Sequence, residues 1–345
     1  MGLSVPSRAE PAIVRADRKR VLVLGASGFI GERVVAALAA TDWARPVAAS
    51  RSGRVPAGSA AESLRVDARD AQGLQAALGG VSAVVNCVAG DTDSIASGAQ
   101  VLFAACAGMP LQPRVVHLST MQVYGSTRGL ADEHAPLRGD WDAYGAAKVA
   151  AEQMSHGAQS VVILRPGIVY GPGSPIWTQM VGRWLIARRL GDLGPAGDGV
   201  CNLVHVDDVV KAVLCALRLP DIAGQAFNLS LPQAPSWNAY FRGFADALGA
   251  PVARISQQRL LLEQRVLAPP LKLAQIGARA LRLAWQPPAP LRPWFLRLCS
   301  QALRLDVGKA ERVLGMRWKP LAEGLRESAE WLRSTDAARR APGRP

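Results

Sequence analysis

Long apolar runs, paired cysteines, histidines and acidic residues are all scarce in this chain of 345 residues. No apolar run reaches the roughly 18 residues that a bilayer-spanning helix needs. The stretch from Met1 to Arg20 is polar and basic, without the apolar segment and small-residue cleavage site of a secretory signal, so a cytoplasmic protein is expected. Five cysteines, Cys87, Cys106, Cys201, Cys215 and Cys299, show no C-x-x-C spacing and sit mostly among apolar neighbours, which argues against a zinc knuckle or a disulfide framework. There are four histidines, and Asp132-Glu133-His134 lies in a polar loop without metal-ligand spacing, so no metal is expected. Acidic residues number 27 against 40 lysines and arginines, a formal charge of +13 that favours an anionic partner. No aromatic platform or DNA-binding motif accompanies that charge, and nucleic acid is therefore not expected.

What is present is a rhythm of short apolar runs and helical stretches: VLVLG, FIGERVVAALAA, PVAAS, SLRVD, GLQAALGG, AVVNCVA, then RVVHLST and SVVILRP. Parallel βαβ units produce this alternation, and runs apolar on every residue belong to strands covered on both faces. The expected architecture is an α/β fold: a Rossmann-type doubly wound parallel sheet with a smaller, mainly helical C-terminal cap over the substrate. Punctuation by proline and glycine divides it into a dinucleotide-binding domain over 18–170, a cap insertion over 171–199, a return to the sheet over 200–231, a helical cap over 232–335 and a disordered tail over 336–345.

The sharpest local signal is VLVLGASGFIG, where a buried strand runs into Gly25, Gly28 and Gly31 and then into an amphipathic helix. Gly25 suits the tight turn, Gly28 the close approach of backbone to a pyrophosphate, and Gly31 the packing of helix on strand. The pyrophosphate is expected at the helix N-terminus, among the unpaired N–H groups; Ser27, Phe29 and Ile30 complete this cofactor-binding turn. About 20 residues on, an NAD site places an acid at the end of the second strand. Here that strand ends in Ser50-Arg51, a pair suited to a 2'-phosphate, so NADP(H) is expected over NAD(H).

Tyr144 and Lys148 lie four apart in WDAYGAAKVAAEQM, on one face of a helix. A tyrosine with its ordinary pKa near 10 is a poor acid or base at neutral pH, and a nearby ammonium moves it toward neutrality. The strand RVVHLST ends in Ser119-Thr120, where a hydroxyl at the sheet's carboxyl edge can hold a substrate carbonyl. His117 is expected as a hydrogen-bonded core residue, and Asp207 or Asp208 as the cap of the following helix.

The glycine turn, STMQVYG, YGAAK, LRPGIVYGPG and LVHVDDV occur in an order that resembles the extended short-chain dehydrogenase/reductase family, over roughly residues 20 to 335. The resemblance implies Thr120, Tyr144 and Lys148 as catalytic residues. It also implies cofactor contacts at Asp67 and Ala68 (adenine side), Val88 and Ala89 (the wall after the fourth strand), Tyr144 and Lys148, and Pro166, Gly167 and Ile168 (nicotinamide side). A turn-forming role for Asp67 stays open beside the adenine contact.

Two departures from that pattern decide the expected substrate. Nucleotide-sugar enzymes of the family commonly carry an Asn three residues after the Arg of the LR segment and an Arg four residues before the later His-Val, and here Ile168 and Cys201 stand there. Between Arg254 and Arg304 nine basic residues face a single acid, Glu263, and a helix over this segment puts Lys272, Arg279 and Arg282 along one stripe beside an apolar face. The expectation is hydride transfer from NADPH to a hydrophobic, lipid-linked 3-oxo ketone, with an anionic membrane surface as a partner of 254–304 on the inner face of the membrane. Epimerisation or dehydration of a nucleotide sugar is the alternative, and a non-catalytic NADP-binding scaffold or redox sensor the second. The oligomeric state stays open.

Overall fold

A computed structural model describes residues 18–54, 61–157, 160–262, 266, 268–281, 291 and 293–340. Seven strands form one parallel sheet: β1 (Lys19–Leu24), β2 (Ala44–Ser50), β3 (Glu62–Arg65), β4 (Ala83–Asn86), β5 (Arg114–Leu118), β7 (Val161–Pro166) and β10 (Ala226–Leu229). Their spatial order is β3-β2-β1-β4-β5-β7-β10. The chain reverses its direction of travel between β1 and β4, and in open sheets of this kind a crevice forms there, outside the carboxyl ends of the strands. Leu24 is in register with Ala49 of β2 on one side and Asn86 of β4 on the other, so three strands end together at that crevice.

Alternation along β1 explains the layers. Val21 and Val23 point into a core shared with α1 (Phe29–Ala39) and α6 (Val206–Arg218), whereas Leu22 and Leu24 point into the opposite core, under α2 (Ala71–Ala77), α3 (Thr92–Ala107) and α4 (Ala143–Met154). All four are essentially buried, as a strand covered on both faces requires.

A third core lies in the smaller, mainly helical C-terminal region. There α5 (Val181–Ile186), α7 (Trp237–Leu248), α8 (Gln257–Leu262), α9 (Ala268–Ala280), α10 (Pro293–Cys299), α11 (Gly308–Val313) and α12 (Leu321–Arg340) accompany two short parallel pairs, β8 (Ile168–Tyr170) with β9 (Leu203–His205) and β6 (Gly129–Ala131) with β11 (Leu303–Leu305). Trp177, Trp184, Trp237, Tyr240, Phe241 and Phe295 pack ring against ring, with centroids 5.2–6.3 Å apart.

Three expectations change here. The strand of LVHVDDV pairs with β8 and stands outside the main sheet. The tail expected to be disordered from 336 continues α12 to Arg340, with Arg183 bonded to Asp336 at 2.8 Å; residues 341–345 lie outside the described residues. The helix after β9 is capped by His205, whose side chain accepts from the N–H of Asp207, while Asp208 is fully buried and accepts from the N–H of Lys319. Among the described residues no helix is long and apolar enough to cross a membrane. The basic stripe of Lys272, Arg279 and Arg282 lies on side chains outside the described residues.

Candidate active site

The turn after β1 leaves no room for side chains. Gly25 has φ +76°, and a Cβ on it would lie 2.8 Å from the carbonyl oxygen of Cys87. A Cβ on Gly31 would lie 2.2 Å from the carbonyl oxygen of Gly25, so the helix sits directly on the turn. Gly28 is the N-cap of α1 and makes no side-chain cap, which leaves the first N–H groups of an eleven-residue helix to a ligand.

In front of this turn opens a cavity of about 450 Å³ at the carboxyl edge of the sheet. Its lining includes Gly25, Ser27 and Gly28 after β1, Ser50 and Arg51 after β2, Asp67 and Ala68 after β3, and Val88 and Ala89 after β4. Nine residues expected to contact the cofactor are thus brought to one groove. The side chains of Phe29 and Ile30 leave it: Phe29 stacks under Arg33 at 5.6 Å and Ile30 packs into the core beneath α1. Pro166, Gly167 and Ile168 are likewise not part of its wall. Gly167 is pressed against Asn202, where a Cβ would lie 2.1 Å from the carbonyl oxygen, and Ile168 is buried in the C-terminal core.

Sequence reasoning missed Ser52, Val66, Cys87 and Ser94 as wall residues. For Ser94 a signal existed: Asp91 caps α3 by accepting from the Ser94 N–H and hydroxyl, both at 2.8 Å, a pattern visible in DTDS. That this helix start faces the groove is not a local property.

Asp67 is a turn residue, accepting from the Arg69 N–H at 3.0 Å, and also part of the groove's lining. Arg69 grips the same carboxylate from Nε and Nη2 at 3.2 and 3.0 Å, which holds its pKa down to about 2, with Arg51 contributing a smaller favourable charge. An ionised carboxylate therefore shares the wall with Arg51 and offsets its charge where a 2'-phosphate would add more negative charge.

Thr120 follows β5 and caps a short 3-10 turn, Met121–Tyr124, and its side chain lies near the Tyr144 phenol, where it favours the ionised form. Tyr144 stands in the first turn of α4, which Asp142 caps by accepting from the Gly145 N–H at 2.8 Å. Lys148, only 2% exposed, donates to the carbonyls of Leu118 at 2.7 Å and Val88 at 3.3 Å, and its Nζ lies 6.0 Å from the centre of the Tyr144 ring. Thr120, Tyr144 and Lys148 thus converge, and through Val88 they adjoin the groove. The expected tuning differs, however. Burial pushes the Tyr144 phenol up to about 12, the Thr120 side chain opposing it and the Asp142 charge adding to it. Burial brings the Lys148 ammonium down to about 8, because its donors meet main-chain carbonyls and, among the described residues, no carboxylate pairs with it directly.

His117 is the expected core histidine, 1% exposed with Nδ1 3.1 Å from Asn86 Nδ2. His205, Asp207 and Glu327 offer three ligand atoms within 4.8 Å of one another. Lys319 Nζ donates to Asp207 at 3.0 Å and to Glu327 at 2.7 and 2.8 Å, so an ammonium supplies the positive charge there. In the loop Asp132–His134, Asp132 accepts from the His134 N–H and Glu133 from the N–H of the distant Asn228, so the two carboxylates serve separate bonds.

Comparison with known proteins corrects the cofactor and substrate expectations. The chain is 30% identical to Escherichia coli (strain K12) protein YeeZ over 139 residues, which are 40% of this chain and about half, 47%, of that protein's length. It is 29% identical to the 2'-dehydrokanamycin reductase of Streptomyces kanamyceticus over 253 residues, 70% of each chain. MoeE5, solved in complex with UDP-glucose and NAD, superposes with a TM-score of 0.69 at 24% identity, covering 92% of this chain and 99% of that one, a likeness of fold. MoeE5 is also solved with UDP-glucuronic acid and NAD, and the UDP-glucuronic acid 4-epimerase of Bacillus cereus, solved with the same pair, superposes with a TM-score of 0.68 at 20% identity, covering 92% of this chain and 99% of that one. NAD and polar nucleotide sugars in these solved structures overturn the expectations of NADP(H) and of a hydrophobic lipid-linked ketone. The structure supplies the physical reason: Ile168 and Cys201, on which the lipid reading turned, are 4% and 0% exposed and belong to the C-terminal core, so they report on packing. The family model described as NAD dependent epimerase/dehydratase matches residues 21–230, well over half of the chain, and with the parallel sheet, the glycine turn and the groove it leads to one conclusion: this chain belongs to the NAD dependent epimerase/dehydratase family of enzymes.

Proposed function

We propose that this chain is an NAD-dependent epimerase or dehydratase of nucleotide sugars. The observation that carries the reading is the convergence of Thr120, Tyr144 and Lys148 beside the glycine-turn groove, with Lys148 bonded to the Val88 carbonyl of its wall.

The residues present fit NAD. The N–H groups of Phe29 to Gly31 suit its pyrophosphate, the Asp67 end of the groove its adenosine, and the Val88-Ala89 wall the half next to Tyr144. Bound NAD supplies a hydride acceptor that can return the hydride to the substrate in the same cycle. Thr120 positions the sugar hydroxyl against Tyr144. The Tyr144 oxygen takes that hydroxyl's proton and later gives it back. Phenolate formation at this buried oxygen is favoured by positive charge beside it, and Lys148 and an oxidised nicotinamide both carry that sign. The net basic charge of the chain suits a diphosphate-bearing substrate.

Two measurements test this. Titration of the purified protein should give a lower Kd for NAD+ than for NADP+, because the ionised Asp67 opposes a 2'-phosphate; tighter NADP+ binding contradicts the cofactor assignment. Incubation with NAD+ and a panel of UDP-glucose, UDP-glucuronic acid and dTDP-glucose, followed by chromatography and mass analysis, should yield an isomer of unchanged mass or a product lacking one water, with no net NADH. A protein that binds NAD+ but converts none of these, or that consumes NADH stoichiometrically with a sugar ketone, sinks the reading.

A further inference from the structure

Glu152 takes no part in the proton transfer proposed above, yet it is buried to 1% exposure and surrounded by donors. Arg165 on β7 donates to it from Nη2 at 2.7 Å and from Nε at 3.1 and 3.2 Å. The Ser119 hydroxyl donates to its Oε1. Arg165 is anchored in turn by the Tyr124 hydroxyl at 2.9 Å and the Glu133 carbonyl at 3.0 Å, and Tyr124 donates to Asn228 at 2.7 Å.

The placement follows a rule of spacing. Tyr144, Lys148 and Glu152 stand four apart on one face of α4. They meet three consecutive residues at the end of β5: Lys148 donates to the Leu118 carbonyl, Glu152 accepts from the Ser119 hydroxyl, and the Tyr144 phenol lies near the Thr120 side chain. The helix and the strand end therefore share a ladder of two side-chain bonds and one close approach, and Glu152 forms its far rung. A buried ion pair is a poor source of stability, since desolvation offsets the attraction, so its value here is sought in geometry.

We propose that Glu152, clamped by Arg165, is a positioning residue that holds the end of β5 in register with α4 and sets its negative charge against Lys148. The inference rests on the reading of Tyr144 and Lys148 as the proton-transfer pair. The groups facing Lys148 are Cys87 after β4, His117 on β5, Tyr144 and Glu152 on its own helix, and the carbonyls of Val88 and Leu118. Burial keeps Cys87 a thiol, up to about 12, and His117 neutral, down to about 3, so at neutral pH Glu152 supplies the formal negative charge in this set. Lys148 holds its proton below about 8 and loses it as pH rises through that value; without the Glu152 charge the loss moves to lower pH.

Glu152→Gln leaves Arg165 unpaired and is apt to unfold the chain, so the deciding variants are the Glu152→Met, Arg165→Met pair, which removes both charges, and Ser119→Ala, which removes the rung and leaves both charges. Lys148 is followed by NMR of lysines labelled at Cε, alongside thermal unfolding, kcat and KM. In the double variant the Lys148 midpoint should fall by about one pH unit, with kcat at pH 8 down about fivefold and KM little changed. Ser119→Ala should lower kcat about three- to tenfold and leave the Lys148 midpoint in place. Glu152→Asp should recover part of the wild-type midpoint. An unchanged midpoint in a folded double variant overturns the electrostatic part, and wild-type kcat in Ser119→Ala overturns the register part, which needs no other variant to fold. The Lys148 titration requires no substrate, so it stands or falls apart from whether nucleotide sugars turn over.

Discussion

Tyr144→Phe is expected to remain folded and to bind NAD+ while losing about 10²–10⁴ in kcat, the usual contribution of a positioned acid–base group. The substitution removes one oxygen and keeps the ring, so the packing of α4 on the strand end is retained. What disappears is the oxygen that lies near Thr120 and that the proposed mechanism sets against the substrate hydroxyl. Burial holds the phenol up to about 12, and its titratable neighbours cannot take over the proton at neutral pH: His117 is kept neutral by burial and is bonded to Asn86, and the Cys87 thiol is pushed up to about 12. The check is steady-state turnover with whichever nucleotide sugar reacts, beside an NAD+ titration. A variant that keeps activity within tenfold of wild type removes Tyr144 from the mechanism.

Gly31→Ala should weaken NAD+ binding about ten- to a hundredfold and destabilise the fold by about 1–3 kcal/mol. The added methyl lands 2.2 Å from the Gly25 oxygen and 3.0 Å from the Ala26 Cα, and neither is the end of a flexible side chain. The helix must lift away from the turn, carrying with it the N–H groups that face the pyrophosphate. Hydrogen bonds to charged groups contribute about 1.5–3 kcal/mol each, so misplacing one accounts for the affinity loss. Gly277→Ala in α9 is the matched control: a Cβ there meets nothing within 4 Å, and helix propensity favours alanine by about 0.5–1 kcal/mol. Calorimetry of both variants, with and without NAD+, reads the difference. Wild-type affinity in Gly31→Ala would mean that the turn does not hold the cofactor.

The groove is legible in the sequence to the extent that its residues follow strand ends. Gly25, Ser50, Asp67 and Val88 each lie at or just beyond the end of a predicted strand, and in a parallel sheet all such positions share one edge. Ser94 escapes that rule because it sits in a helix, whereas Cys87 obeys it, one residue past β4, but as a cysteine before an apolar pair has the character of a core position. The NADP(H) expectation weighs Ser50 and Arg51 at one strand end, whereas the fold puts Asp67 from the next strand on the same wall. The lipid expectation fails for a similar reason: it treats Ile168 and Cys201 as pocket positions, and they are core positions.

The tuning of the proton pair shows the same limit. A spacing of four places Tyr144, Lys148 and Glu152 on one face, but a helical wheel does not say what that face meets. The structure sets the end of β5 against it, and Lys148 then spends its donors on the Leu118 and Val88 carbonyls.

By itself the sequence determined the parallel sheet, the glycine turn and the pairing of Tyr144 with Lys148, because periodicity, steric freedom at glycine and helical spacing are local properties of the chain. Tertiary structure alone decided which wall residues face one another, that Arg69 grips Asp67, that Lys319 sits among His205, Asp207 and Glu327, and that Glu152 closes the ladder to β5. These depend on burial and on charges brought together from distant segments, and electrostatic energies in a buried site are set by distance and desolvation, which only the folded chain defines.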